Sequence, residues 1–249
     1  MANIDRIKGN KIRRFSIFRI IEHWAVMLTF GVLVVTGLSQ KFYSLDVSQW
    51  LIFKMGGIDY ARLVHRFTGI VFLLITSIHI IIGIIGVAFK KWHPSMIISK
   101  KDFTDAIHNI KYYLGIESRP AICDRYNYKQ KFEYWGILIG GLLMIVTGII
   151  LWFPTFITRF LPGEIIPAAK VMHTNQALVI FLIIAVWHIY NSIFSPDVSP
   201  LDTSIFTGYI SKERMLTEHP IELARLEGKP LEEIITEHQD IHYENLETS

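Results

Sequence analysis

Leu63 to Phe89 reads LVHRFTGIVFLLITSIHIIIGIIGVAF, a long apolar run with Arg66 near its start that carries two histidines, His65 and His79. A run of this length crosses a hydrocarbon core, which needs roughly 20 apolar residues. Ionisable side chains are costly there, face the bundle interior and mark function by default. The arrangement occurs twice. Ala61-Arg62-Leu63-Val64-His65 leads to His79, and Ala169-Lys170-Val171-Met172-His173 leads to His188, at intervals of 14 and 15 residues. On a helix these intervals separate the imidazoles by roughly 21 to 23 Å and return them to within roughly 40° to 60° of one face.

The composition agrees with a membrane protein: 51% of the 249 residues are hydrophobic and 13% aromatic. Four spans are expected, at 17–39, 63–89, 132–153 and 170–194. The first has no cleavage pattern after it and is expected to remain as an anchor. Arg6, Lys8, Lys11, Arg13 and Arg14 precede the first span and Arg19 stands at its start, and Lys90, Lys91, Lys100, Lys101, Lys111, Arg119, Arg125, Lys129 and Lys131 lie between the second and third. Positive loops stay inside, so both termini are expected in the cytoplasm. The expected organisation is a cytoplasmic segment at 1–16, a four-helix transmembrane domain at 17–195 and a cytoplasmic tail at 196–249. That tail has four basic and ten acidic side chains after residue 211, and reads as a solvated stretch or a docking surface. His93, His108, His219, His238 and His242 read as solvent-exposed.

The repeat extends to the other pair of spans. Glu22-His23-Trp24 and Val35-Thr36-Gly37 match Glu133-Tyr134-Trp135 and Val146-Thr147-Gly148 at a constant offset. The fold class expected is therefore all-α: a four-transmembrane-helix bundle with an internal two-fold repeat of helix pairs related by an axis along the membrane normal. His65 and His173 then share an outer level. His23, which Tyr134 replaces in the second copy, joins His79 and His188 at an inner one.

One histidine in a span most often serves as an interhelical hydrogen-bonding group; five at matched depths call for another account. Zinc wants about four ligands at one level, commonly with cysteine or carboxylate. Haem iron needs two axial ligands, which one imidazole from each of two helices supplies, and bis-histidine ligation serves electron transfer. With Cys123 as the single cysteine, neither a four-cysteine iron–sulfur cluster nor a covalent Cys-x-x-Cys-His haem can form. Gly69 and Gly83, four residues after His65 and His79, leave room for a flat macrocycle, as Gly37 and Gly148 also would. A histidine proton relay is the competing transport reading, but no carboxylate lies in the middle of a span. A non-catalytic membrane anchor is the competing structural one.

The series Glu22-His23-Trp24, Ala61-Arg62-Leu63-Val64-His65-Arg66-Phe67-Thr68-Gly69, Arg125-Tyr126-Asn127-Tyr128-Lys129-Gln130-Lys131-Phe132-Glu133-Tyr134-Trp135 and Trp187-His188-Ile189-Tyr190-Asn191 resembles the dihaem cytochrome b subunits of respiratory formate dehydrogenases and nickel-iron hydrogenases. It covers roughly residues 15 to 195. Closer still are cytochrome b/b6-domain proteins that accompany multihaem c-type cytochromes, whose tails resemble Thr207-Gly208 to Glu218-His219-Pro220. The resemblance implies haem b as cofactor, an outer pair His65/His173, an inner pair His23/His188, and a quinone site near His188 and Asn127. The 14 and 15 spacing instead resembles bc-type cytochromes b, in which His79 and His188 would be the inner pair. Both inner sets stay open; the histidine left over would bond a propionate, line the quinone site or hold a third haem.

The function expected is an electron-transfer subunit of an oxidoreductase. It would link menaquinone or ubiquinone, bound near His188, Asn127 and Gln130 at the cytoplasmic face, to a redox partner outside. That partner would be a multihaem cytochrome c or an iron–sulfur/dehydrogenase subunit. The setting is a bacterial or archaeal cytoplasmic membrane, with the bilayer and quinone pool as further partners and no nucleic acid.

Overall fold

Backbone N–H and C=O groups in lipid find no water, so a continuous apolar segment of a single span pairs them internally as a helix. The computed structural model of the chain describes residues 7–89, 93–195 and 201–236. Its helices are α1 (Ile17–Lys41), α2 (Asp46–Lys54), α3 (Ile58–Ala88), α4 (Lys100–Tyr113) and α5 (Tyr128–Trp152). There follow α6 (Pro154–Ile157), α7 (Ile165–Leu182), α8 (Ser204–Thr207), α9 (Lys212–Glu218) and α10 (Pro220–Glu227). α7 continues through π-helical turns Ile183–His188 and Tyr190–Phe194.

Four helices are long and apolar enough to cross a membrane: α1, α3, α5, and α7 with its extension, with mean hydropathies of 1.7, 2.7, 2.2 and 2.1. They contain nearly all of the four expected spans. α3 and α7 begin about five residues before the spans read from hydropathy, because backbone hydrogen bonding runs on through one further turn, polar in α3 (Asp59, Arg62) and opened by Pro167 near the start of α7. Apolar side chains on these helices point outward, as Ile84 does at 63% exposure and Val186 at 67%. An apolar exterior suits a hydrocarbon solvent.

The helical class stands with one addition. Residues Ile7–Lys8 (β1), Lys11–Arg13 (β2) and Tyr209–Ser211 (β3) form a three-stranded antiparallel sheet, ordered β1-β2-β3, with Ile12 opposite Ile210. These strands are too short for their alternation to stand out in a sequence read for long apolar runs.

The chain divides into two compact units, residues 21–91 with 135–202, and residues 1–20 with 92–134 and 203–249. In the former, glycine lets helices approach. A Cβ on Gly140 of α5 would lie 3.0 Å from Ile180 Cδ1 on α7, and one on Gly141 would lie 3.4 Å from Phe72 Cζ on α3. Such small residues are what packs helices in lipid, where apolar burial drives nothing.

The other unit has a water-soluble protein's core. Ile12 and Ile210 from the sheet pack with Met215, Leu216, Leu223, Ala224, Leu226 and Ile234. The stretch after residue 200 thus supplies most of a core through residue 236; His238 and His242 lie outside the described residues. His219 is buried, contrary to the exposed position expected for it, and its Nδ1–H donates to the Asp124 carbonyl at 2.8 Å.

Beside this core sits a knot of charge. Arg14 bonds Glu222 Oε2 at 2.9 Å, and Arg125 bonds Glu222 Oε1. Each arginine also donates to the other's backbone carbonyl, at 2.5 Å and 2.6 Å. Gly208 closes the entry to α1: its carbonyl accepts from Arg14 and Phe15, and at φ +81° a Cβ there would lie 2.9 Å from the Phe15 carbonyl oxygen. Lys131, one of the positive residues before the third span, is buried and bonds Asp102 at 2.8 Å. Burial alone would raise Asp102, but hydrogen bonds from Lys131 and Ser99 outweigh it and hold the carboxyl below its usual range.

Two outcomes are expected. Glu222→Ala strands a buried guanidinium and should destabilise this unit by about 3–5 kcal/mol, read by thermal unfolding in detergent. His219 is pushed down to about 3, first by burial and then by Arg14. The unfolded chain binds that proton near the ordinary histidine value of 6.5, so the contribution is complete above this pH and is lost as pH falls toward about 3. His219→Gln should flatten the acid limb of a stability–pH curve over that window.

Candidate functional site

Spacing along the helices sets the geometry. Thirteen residues of α1 separate His23 from Thr36, and fourteen of α3 separate His65 from His79, so each helix presents polar groups at two levels roughly 20 Å apart. α7 does the same with His173 and His188. Fifteen residues overshoot a whole number of turns by about 60°, and the wider i→i+5 turn at Ile183–His188 takes up part of that excess.

At one level His65 of α3 faces His173 of α7, with ring centroids 6.2 Å apart and planes at 75°. Each ring is held from behind in the same way. His65 Nδ1 lies 2.8 Å from Thr36 Oγ1 on α1, and His173 Nδ1 lies 2.9 Å from Thr147 Oγ1 on α5. The next residue gives the ring room: a Cβ on Gly37 would lie 3.1 Å from His65 Cε1, and one on Gly148 would lie 3.3 Å from His173 Cε1. Gly37 and Gly148 therefore clear space for the imidazoles. Gly69 and Gly83 border open space, with nothing within 4 Å of an added Cβ.

At the other level His23 of α1 faces His188, again with centroids 6.2 Å apart, at 37°. His23 Nδ1 is buried with no hydrogen-bond partner among the described residues. His79 is engaged elsewhere: its Nδ1 lies 3.0 Å from Glu22 Oε1, a carboxylate only 9% exposed. The structure thus brings His23, not His79, opposite His188.

Both spacings have a chemical meaning. A metal–imidazole bond of about 2.0 Å, plus roughly 1.1 Å from the bonding nitrogen to the ring centroid, puts two trans imidazole centroids roughly 6.2 Å apart. Each pair matches the axial demand of one haem iron, which takes its other four ligands from the porphyrin. Among the described residues no group of three or more His, Cys, Asp or Glu is gathered as a closed metal site.

Asn127 and Gln130 belong to the other unit and cap α5 reciprocally. Gln130 N–H donates to Asn127 Oδ1 at 2.9 Å, and Asn127 N–H donates to Gln130 Oε1 at 3.1 Å. This arrangement satisfies two backbone donors of the helix start. Each side-chain carbonyl oxygen thus takes one backbone donor, and each side-chain amide N–H2 keeps its donors for a ligand.

Three contributors escaped the sequence reading. Thr36 and Thr147 were visible within the repeated Val-Thr-Gly, which marked the repeat without declaring a role. Glu22 stood in the repeated Glu-x-Trp, but its pairing with His79 depends on a partner helix.

The chain is 28% identical over 213 residues to the formate dehydrogenase cytochrome b556(fdo) subunit of Escherichia coli K12, covering 86% of this chain and 92% of that one. It is 27% identical over 220 residues to the formate dehydrogenase cytochrome b556 subunit of Haemophilus influenzae, covering 88% and 85%. A probable Ni/Fe-hydrogenase 1 B-type cytochrome subunit of Escherichia coli K12 is 26% identical over 135 residues, covering 53% and 56%. The sequence model of the prokaryotic cytochrome b561 family matches residues 14–208, and the chain belongs to that family.

Proposed function

We propose that this chain is the membrane-spanning cytochrome b subunit of a quinone-linked oxidoreductase, carrying electrons between the quinone pool and a redox partner at the outer face. The observation that carries the reading is the pair of facing imidazole couples, each with centroids 6.2 Å apart. A cytochrome b family implies haem b. On this reading His65 and His173 would hold the outer haem, and His23 and His188 the inner one. Bound there, haem b would supply a reversible one-electron couple.

The chain's own residues do the rest. Thr36, Gly37, Thr147 and Gly148 seat the outer imidazoles. Glu22 holds His79 away from the axial role and leaves it to a propionate or the quinone, so two haems rather than three are proposed. Levels roughly 20 Å apart span most of the hydrocarbon, and each elementary charge moved across it is worth about 2.3 kcal/mol per 100 mV. The arrangement proposed is two helix pairs related by an axis along the membrane normal, with both termini cytoplasmic. The membrane domain is proposed at 17–195, the flanking segments being 1–16 and 196–249.

The relatives are named as subunits of formate dehydrogenase and Ni/Fe-hydrogenase. The partner proposed is accordingly an iron–sulfur/dehydrogenase subunit, or a multihaem cytochrome c. Menaquinone or ubiquinone is the proposed substrate, with His188, Asn127 and Gln130 as its candidate contacts.

Purified protein reduced with dithionite should show b-type absorption bands and two haems per chain. His65→Ala or His173→Ala should remove one haem and His23→Ala the other, while His79→Ala keeps both. A colourless protein sinks the haem reading. Loss of haem with His79→Ala and not with His23→Ala reverses the inner assignment.

A further inference from the structure

The repeated Val-Thr-Gly marks the two places where a hydroxyl meets a facing histidine, and the hydrogen positions there can be worked out. Thr36 Oγ1 lies 2.7 Å from the Val32 carbonyl oxygen, and Thr147 Oγ1 lies 2.7 Å from that of Leu143. Two oxygens so close need a proton between them, and a carbonyl has none, so each threonine gives its single hydrogen to its own helix. What remains toward the histidine is a lone pair. His65 at 2.8 Å and His173 at 2.9 Å must then be the donors, with the proton on Nδ1 and the lone pair on Nε2.

We infer that Thr36 and Thr147 are positioning residues that lock the tautomer and ring orientation of the His65/His173 pair and set its redox potential apart from that of the His23/His188 pair. The inference rests on the haem reading above. Both threonines act on the same imidazole atom, from α1 and α5, and both are followed by a glycine whose missing side chain lets the ring sit against the helix. At the other level the buried His23 Nδ1 has no hydrogen-bond partner among the described residues. An Nδ1–H held by an acceptor makes Nε2 a stronger donor to metal, which favours the oxidised state. The hydroxyls thus lower the potential of the outer couple and leave the inner one untouched.

The test is a redox titration of the full-length, haem-loaded protein with Thr36→Val and Thr147→Val, which remove the hydroxyl at nearly constant volume, beside Thr36→Ser and Thr147→Ser, which restore it. Losing such a partner weakens metal binding roughly 10–100-fold. A tenfold loss borne by the oxidised form raises a one-electron potential by about 59 mV. The valine variants should raise the potential of one haem only and move its low-spin electron-resonance signal, and the serine variants should return both to the parent values. The second haem is the internal control, since general damage to the fold would disturb both. Either threonine reads the device on its own if the other variant fails to accumulate. In the unmodified reduced protein, labelled with 15N at histidine, two Nδ1–H protons should exchange slowly with solvent. Two haems with unchanged potentials in both valine variants would overturn the inference while leaving the haem reading intact; a parent without haem b overturns both.

Discussion

An imidazole carried into hydrocarbon has two polar nitrogens and no water to satisfy them, and the membrane helices are arranged around that demand. At the His65/His173 level one nitrogen of each ring is met by a threonine from a neighbouring helix, and the rings stand one metal's width apart. At the His23/His188 level the same separation recurs. His79 meets the demand differently, through Glu22. Because lipid offers no apolar driving force for helix association, these polar contacts and the glycine-lined approaches at Gly140 and Gly141 are what give α1, α3, α5 and α7 a defined arrangement.

The other unit answers to water, and its organisation differs accordingly. A small sheet, α9 and α10 bury isoleucine, leucine and methionine in the ordinary way. Segments distant in sequence meet at Glu222, which takes both Arg14 and Arg125. Those two arginines follow the positive-inside pattern by composition, yet they are spent on an internal ion pair with short hydrogen bonds to each other's backbone. Lys131 is spent likewise on Asp102. Cys123 is half-buried and its thiol is pushed up to about 11, mainly by burial and then by Asp105, which leaves it a poor nucleophile at neutral pH.

The membrane helices were legible because span length and apolar continuity are local quantities. The four spans needed only small adjustments at their ends. The pairing of His65 with His173 was legible too, since equal depth on two helices follows from rise per residue. The choice between His23 and His79 was not. Both lie at the right height, and only the direction each faces across α1 and α3 distinguishes a ring opposite His188 from a ring held by Glu22. The fold after residue 200 was hidden for another reason: an acidic surface dominates its composition, and its buried face is made of a few residues spread over short elements.

The sequence by itself determined how many helices are long and apolar enough to cross a bilayer, where each histidine stands along its helix, and that a cofactor with two axial positions suits them. All of these follow from hydropathy and helical rise, which need no knowledge of neighbours. Tertiary structure alone decided which rings face each other, that threonines take one nitrogen of each ring in the His65/His173 pair, and that Gly37 and Gly148 make room for imidazole. These depend on distances between atoms on different helices, and helical periodicity carries no information about them.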